Sequence, residues 1–180
     1  MRDGFDRARV TLDRAADFLA AGLRAGAPVA PSPIAGPYRA KVIANGLREL
    51  DRFLNMLIDE ARRVAGLPIF PDQRNTANKF TADDFQYRHS LADYERLRAL
   101  GRSRECLFHC QGRVLRGDRA DAERMTAGWP EIPGTVTPLR RFALGSEMSV
   151  SQQDLADVAV FYRRLGEEIS AGVGMHQADI

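Results

Sequence analysis

Apolar positions recur at helical spacing in separate stretches of the 180-residue chain. Phe5, Ala8, Leu12, Ala15, Leu19 and Gly22 or Leu23 follow one another three or four apart, which predicts a first helix over 5–25. The segment 26–37, GAPVAPSPIAGP, breaks the pattern with prolines that cannot continue a helix, and Pro37 suits the first turn of the next. That next helix, about 38–65, has the most regular stripe: Ile43, Leu47, Leu50, Leu54, Leu57, Ala61 and Val64, widened by Phe53 and Ile58. Such a seam packs against another helix, in the same chain or in a partner. Gly66 and Pro68 end it.

Residues 67–89 show little periodicity, and a short helix beginning at Thr81 is the one element expected there. From Ser90 the helical pattern returns. Ser90 and Asp93 make a capping-box-like start to a helix over 90–112. On a wheel, Tyr94, Leu97, Leu100, Leu107 and Phe108 share an arc with Arg104 in its middle. Arg102 and His109 lie at the edge of that arc, roughly 20° apart, because seven residues are nearly two turns. An arginine within an apolar stripe must be paired, must snorkel, or must face a wet cleft. Gly101 is a candidate break in this helix.

Asp118 is expected to cap a short helix to about Thr126, and Trp129-Pro130 and Pro133-Gly134 read as turns. TVTPLRRFAL and SEMSV, divided by Gly145-Ser146, are expected to form a small hairpin. Ser149 with Gln152 then opens a last helix to about Ala171, with Leu155, Val158, Tyr162, Leu165 and Ile169 on one face. The predicted architecture is all-α: one domain over 1–180, a bundle of four or five helices with a small irregular or hairpin insert before the last. An N-terminal helix and proline-rich loop occupy 1–37, the bundle 38–171, and a frayed tail 172–180. No internal repeat is visible.

Composition narrows the classes further. The 44% apolar and 28% charged content is ordinary for a soluble domain, and a net charge of +2 creates no strong field. No apolar run approaches the ~18 residues of a membrane span, and the N-terminus, MRDGFDRARV, lacks a signal-peptide core, so a cytoplasmic, non-membrane protein is expected. Of 26 basic residues only Lys41 and Lys79 are lysine. An arginine excess of this kind reflects either coding composition or phosphate recognition, to which the guanidinium fork is suited. Two cysteines four apart on one helix make no disulfide framework. Cys106, His109 and Cys110 invite a zinc site, but residues 109 and 110 diverge by about 100° on a helix and no fourth ligand is evident. Neither metal nor cofactor is therefore expected, and buried thiols are the simpler reading. There is no glycine-rich phosphate loop, no Ser/His/Asp order and no paired catalytic carboxylates. His89 reads as a surface histidine, and Trp129 as a lid over the bundle.

The remaining chemistry gathers at the end of the third long helix. The spacing R-x4-H from Arg104 to His109, overlapping R-x6-H from Arg102 to His109, resembles the signature of the HEPN superfamily. These are small helical-bundle proteins, many of them metal-independent endoribonucleases of toxin–antitoxin and defence systems. In a chain so rich in arginine the spacing recurs by chance, and placement carries the resemblance. The motif closes a late helix, HCQGRV makes a glycine-containing turn, 135–149 gives the irregular segment, and SVSQQDL opens the last helix. The resemblance spans roughly 38–171, and only 102–112 is motif-grade. Glu105 or Ser103 stands where the family usually has Asn, Asp or His. Arg74-Asn75 resembles a motif start, but no histidine follows at 79–81.

The resemblance implies that His109 acts as general base or acid on RNA, while Arg104 or Arg102 holds the scissile phosphate. It implies a homodimer whose two sites face each other across a cleft, with an antitoxin or nucleotidyltransferase as a further partner. Arg113, Arg116 and Arg119 follow the motif and either contact the RNA backbone or form a solvated basic turn. The alternative from another class is a catalytically silent helical dimer that binds a partner protein or a nucleotide.

Overall fold

A computed structural model describes residues 2–22, 32–33, 37–70, 75–81, 90–132, 134–135 and 137–178. In chain order the elements are α1 (Arg2–Gly22), β1 (Ser32–Pro33), α2 (Pro37–Val64), α3 (Thr76–Thr81), α4 (Leu91–Cys110), β2 (Arg124–Pro130), β3 (Leu139–Ala143), β4 (Ser149–Val150) and α5 (Gln152–Ala178). The chain is thus mostly helical, with five helices among the described residues, but not all-α: β2 pairs antiparallel with β3, and β1 with β4.

The α2 stripe forms the centre. Ile43, Leu47, Leu50, Leu54, Leu57, Ile58 and Ala61 are buried, and α2 touches α1, α3, α4 and α5. The seam therefore finds its partners within the chain. α1 lays Phe5, Ala8, Leu12, Ala16 and Leu19 on it, and α5 adds Leu155, Val158, Tyr162, Leu165 and Ile169. Burying each such leucine or isoleucine contributes about 1.5–3 kcal/mol. α5 runs beyond Ala171 to Ala178 because Val173, four residues after Ile169, continues the buried face.

α4 starts at the expected cap, Ser90 Oγ accepting from Asp93 N at 3.2 Å, and passes unbroken through Gly101. Its buried face is rotated from the apolar arc. Arg96, Ala99, Ser103 and Cys106 are buried with Leu97, Leu100 and Leu107, whereas Phe108 is exposed. The cause is β2, which lies against this side. Ser103 Oγ accepts from Gly128 N at 3.0 Å, and Arg96 Nε donates to Gly128 O at 3.1 Å. A Cβ on Gly128 would sit 2.8 Å from Leu100 Cα, so only glycine lets the strand approach so closely. Arg96 also lies 4.5 Å over the Phe161 ring, tying α4, β2 and α5 together. Burial lowers the pKa of its guanidinium.

Several expected elements take another form. The helix over 118–126 is absent. Asp118 instead accepts from Thr126 N at 2.8 Å and from Thr126 Oγ1, closing a turn that leads into β2. Trp129 and Pro130 belong to β2 and are buried. The hairpin therefore joins 124–130 to 139–143, in the register Arg124↔Ala143 and Thr126↔Arg141. SEMSV instead supplies a bridge from Glu147 to Arg113, and β4. The last helix is capped by Ser151, not Ser149: Asp154 N donates to Ser151 Oγ at 3.1 Å and Ser151 N returns to Asp154 Oδ2 at 2.7 Å. The short helix expected to begin at Thr81 falls on 82–89, outside the described residues; a separate short helix, α3, ends at Thr81, and Asn75 Oδ1 accepts from Asn78 N at its start, at 2.8 Å. Lys79 is buried and fixes α3 to α2 through Asn55 Oδ1 at 2.8 Å and both Asp59 oxygens at 2.7 Å. Most of the proline-rich loop, and His89, lie outside the described residues.

Candidate functional site

The second half of α4 leaves one face uncovered, and the chain on either side folds over its edges. The result is a cleft of about 690 Å³, lined along α4 by Arg98, Arg102, Arg104, Glu105, His109 and Cys110. Asp51 from α2, Asn75 and Thr76 at the start of α3, and Arg116 to Asp118 from the turn after α4 complete the wall. Helical spacing explains why Arg102, Arg104 and His109 meet here: one helix presents all three, and Gln111 in the left-handed conformation (φ 54°), two residues after the histidine, stops it. Gly117 makes the following turn possible, since a Cβ there would lie 2.0 Å from Ala122 O. That turn carries Asp118 to the cleft.

The two arginines are held differently. Arg102 is half-buried, with Nε 2.9 Å from Asp118 Oδ1. Burial pulls its pKa down, and Asp118 opposes that shift. The Nε hydrogen is not aimed at the carboxylate, so this close pair lacks a formed hydrogen bond. Arg104 is held more loosely, with Nη1 3.7 Å from Asp51 Oδ2 and Nη2 3.6 Å from Glu105 Oε1. Burial raises the pKa of Asp51, while a Thr76 hydrogen bond and Arg104 partly restore it. At these distances a phosphate entering the cleft can displace either carboxylate from Arg104.

His109 is exposed, and its side chain makes no hydrogen bond to any described residue; the one ring contact among them is edge-on to Phe108, centroids 5.0 Å apart. It does not cap the helix, and among the described residues nothing bonds its ring nitrogens. Of the residues expected on an RNA backbone, Arg116 lines the cleft. Arg113 is exposed outside it, its backbone paired with Glu147. Asp51 and Asp118 are the cleft residues that sequence reasoning passed over. Nothing local marks Asp51, an acid at the flank of an apolar stripe. Asp118 was visible, but as a helix cap.

Both cysteines also border the cleft. Cys106 is buried, its thiol donates to Arg113 O at 3.3 Å, and burial pushes its pKa up to about 12, helped by Cys110. Cys110 is half-buried. Among the described residues no group of three or more His, Cys, Asp and Glu is arranged to hold a metal ion. Iodoacetamide should therefore modify Cys110 first and leave Cys106 unmodified in the folded protein, as read by peptide mass spectrometry. Equal modification of the two would mean that the end of α4 is not packed as described.

Among the described residues no helix is long and apolar enough to cross a membrane. Comparison of the chain with known protein families, with curated proteins and with solved structures finds no match.

Proposed function

We propose that this chain is a HEPN-like RNA-processing protein, a metal-independent endoribonuclease of a toxin–antitoxin or defence system that works as a homodimer. The observation that supports this reading is the company of His109: an open imidazole in one cleft with two arginines. Imidazole titrates near neutral pH and can take the proton of a ribose 2′-hydroxyl. The 2′-oxygen then attacks phosphorus, the P–O5′ bond breaks, and the leaving 5′-oxygen takes a proton from water. Arg104, with its loose carboxylate partners, and Arg102 stabilise the charge that develops on the phosphoryl oxygens.

A second reading is favoured by the pairing of both arginines: a catalytically silent helical dimer that binds a partner protein or nucleotide. The two readings separate in a cleavage assay. Purified protein in excess chelator should cut a mixed RNA and leave 2′,3′-cyclic phosphate and 5′-hydroxyl ends. Cleavage that needs an added divalent metal, or no cleavage at all, would overturn the first reading.

A further inference from the structure

The cleft of His109 continues past Arg98 and Arg102. Those residues and Asp118 also line a second cleft of about 950 Å³, between the first half of α4 and the β2–β3 hairpin. Six arginines and three carboxylates line it. Arg102 is matched by Asp118, and Arg140 by Asp154. Arg98, Arg119, Arg124 and Arg141 are exposed and make no ion pair among the described residues. Among the described residues Arg98 hydrogen-bonds to its helix neighbour Tyr94, with Nη1 3.5 Å from the hydroxyl and the guanidinium 5.6 Å from the ring centroid. Among the described lining residues the carboxylates left to oppose these four are Glu95 and Glu131.

The four come from three separate places: α4, the turn after it, and the two strands of the hairpin. Arg124 and Arg141 belong to paired strands, near each other in the register. A concave surface that gathers unpaired cations from distant parts of the chain focuses a positive potential, although the net charge is only +2. Among the described residues the lining carboxylates do not match these cations, and the surface is suited to an anion from outside.

We infer that this second cleft is the track of a single RNA strand, its phosphates held by Arg98, Arg119, Arg124 and Arg141, leading to the scissile phosphate at His109. The identity of the strand rests on the ribonuclease reading; the charge of the groove does not. Guanidiniums on phosphates fix register and orientation without reading bases, so the track favours long single strands over short ones and is tolerant of sequence.

The test is binding of a fluorescein-labelled 12-nucleotide uridine strand whose 2′-oxygens are methylated, so that it cannot be cut. The groove variant is Arg119→Gln, Arg124→Gln and Arg141→Gln together. The control is Arg7→Gln, Arg9→Gln and Arg14→Gln on α1, which removes the same charge elsewhere. Single-strand binding changes by about 0.7 in its log–log salt slope per phosphate contact, so the groove variant should lose about 2 in slope and bind on the order of a hundredfold more weakly at ~0.1 M salt. The control should match the wild type. Equal losses in both variants, no loss in the groove variant, or a wild type that fails to bind would overturn the track. A loss confined to the groove variant in a protein that cuts no RNA would keep the track and discard the ribonuclease.

Discussion

His109→Ala should lower RNA cleavage by about 10²–10⁴-fold, the range lost when a positioned general base is removed. The fold should not register the change. The His109 side chain is exposed and hydrogen-bonds to no described residue, and substitutions at such surface positions move stability by about 0.5 kcal/mol or less. Trp129, the single tryptophan and fully buried, supplies the control: its emission and its unfolding midpoint should be unchanged in the variant. Single-turnover cleavage with enzyme in excess is the direct measurement. A variant that cuts as fast as the wild type would remove His109 from the chemistry and leave the cleft a binding surface.

The loose hold on Arg104 bears on the same chemistry. Asp51 and Glu105 both stand beyond 3.5 Å from its nitrogens, close enough to keep the side chain in the cleft and far enough to yield it. Glu105 is exposed, so its pull is screened by water. Asp51 is less exposed, and burial raises its pKa while Arg104 lowers it. The residue that stands where the resemblance leads one to expect Asn, Asp or His is thus a weak competitor for the arginine beside it.

What could be read in the sequence was whatever depends on neighbours along one helix. The α2 stripe, the Ser90 cap and the start of α2 at Pro37 are of that kind, and the structure places them where the spacing does. The meeting of Arg102, Arg104 and His109 in one cleft is of that kind too. What stayed hidden depends on distant segments. The Asp51–Arg104 pair joins α2 to α4, and no local pattern encodes it. Asp118 offered a plausible helix start, but its oxygens found Thr126 across a turn, and the segment became a strand. The face of α4 was misjudged because Ala99 and Ser103 look neutral in sequence and are buried only because Gly128 admits β2. Arg96 looks solvated in sequence and is buried because Gly128 and Asp157 supply carbonyl acceptors to it.

The largest effect on stability is expected at Asp154. Its carboxylate is fully buried and grips Arg140 with both oxygens, at 2.9 and 3.0 Å, while also accepting from Ser151 N. Arg140 in turn donates to Pro130 O at 3.1 Å. This one carboxylate therefore joins the start of α5 to β3 and, through Arg140, to the end of β2. In Asp154→Ala the guanidinium keeps its charge and its mostly buried position but loses its counterion, and α5 loses its capping box. Breaking a buried pair from one side costs about 3–5 kcal/mol, a large share of the ~5–15 kcal/mol that holds a domain together. Urea unfolding followed by Trp129 emission should show it as a lower midpoint with an unchanged slope. Replacing both partners, with Arg140→Leu added, should recover part of the loss, because no unpaired charge then remains inside. A loss below ~1 kcal/mol for Asp154→Ala would mean that water reaches Arg140. The hairpin would then be held to α5 by apolar packing alone, and the wall it gives to the arginine-lined groove would be free to move.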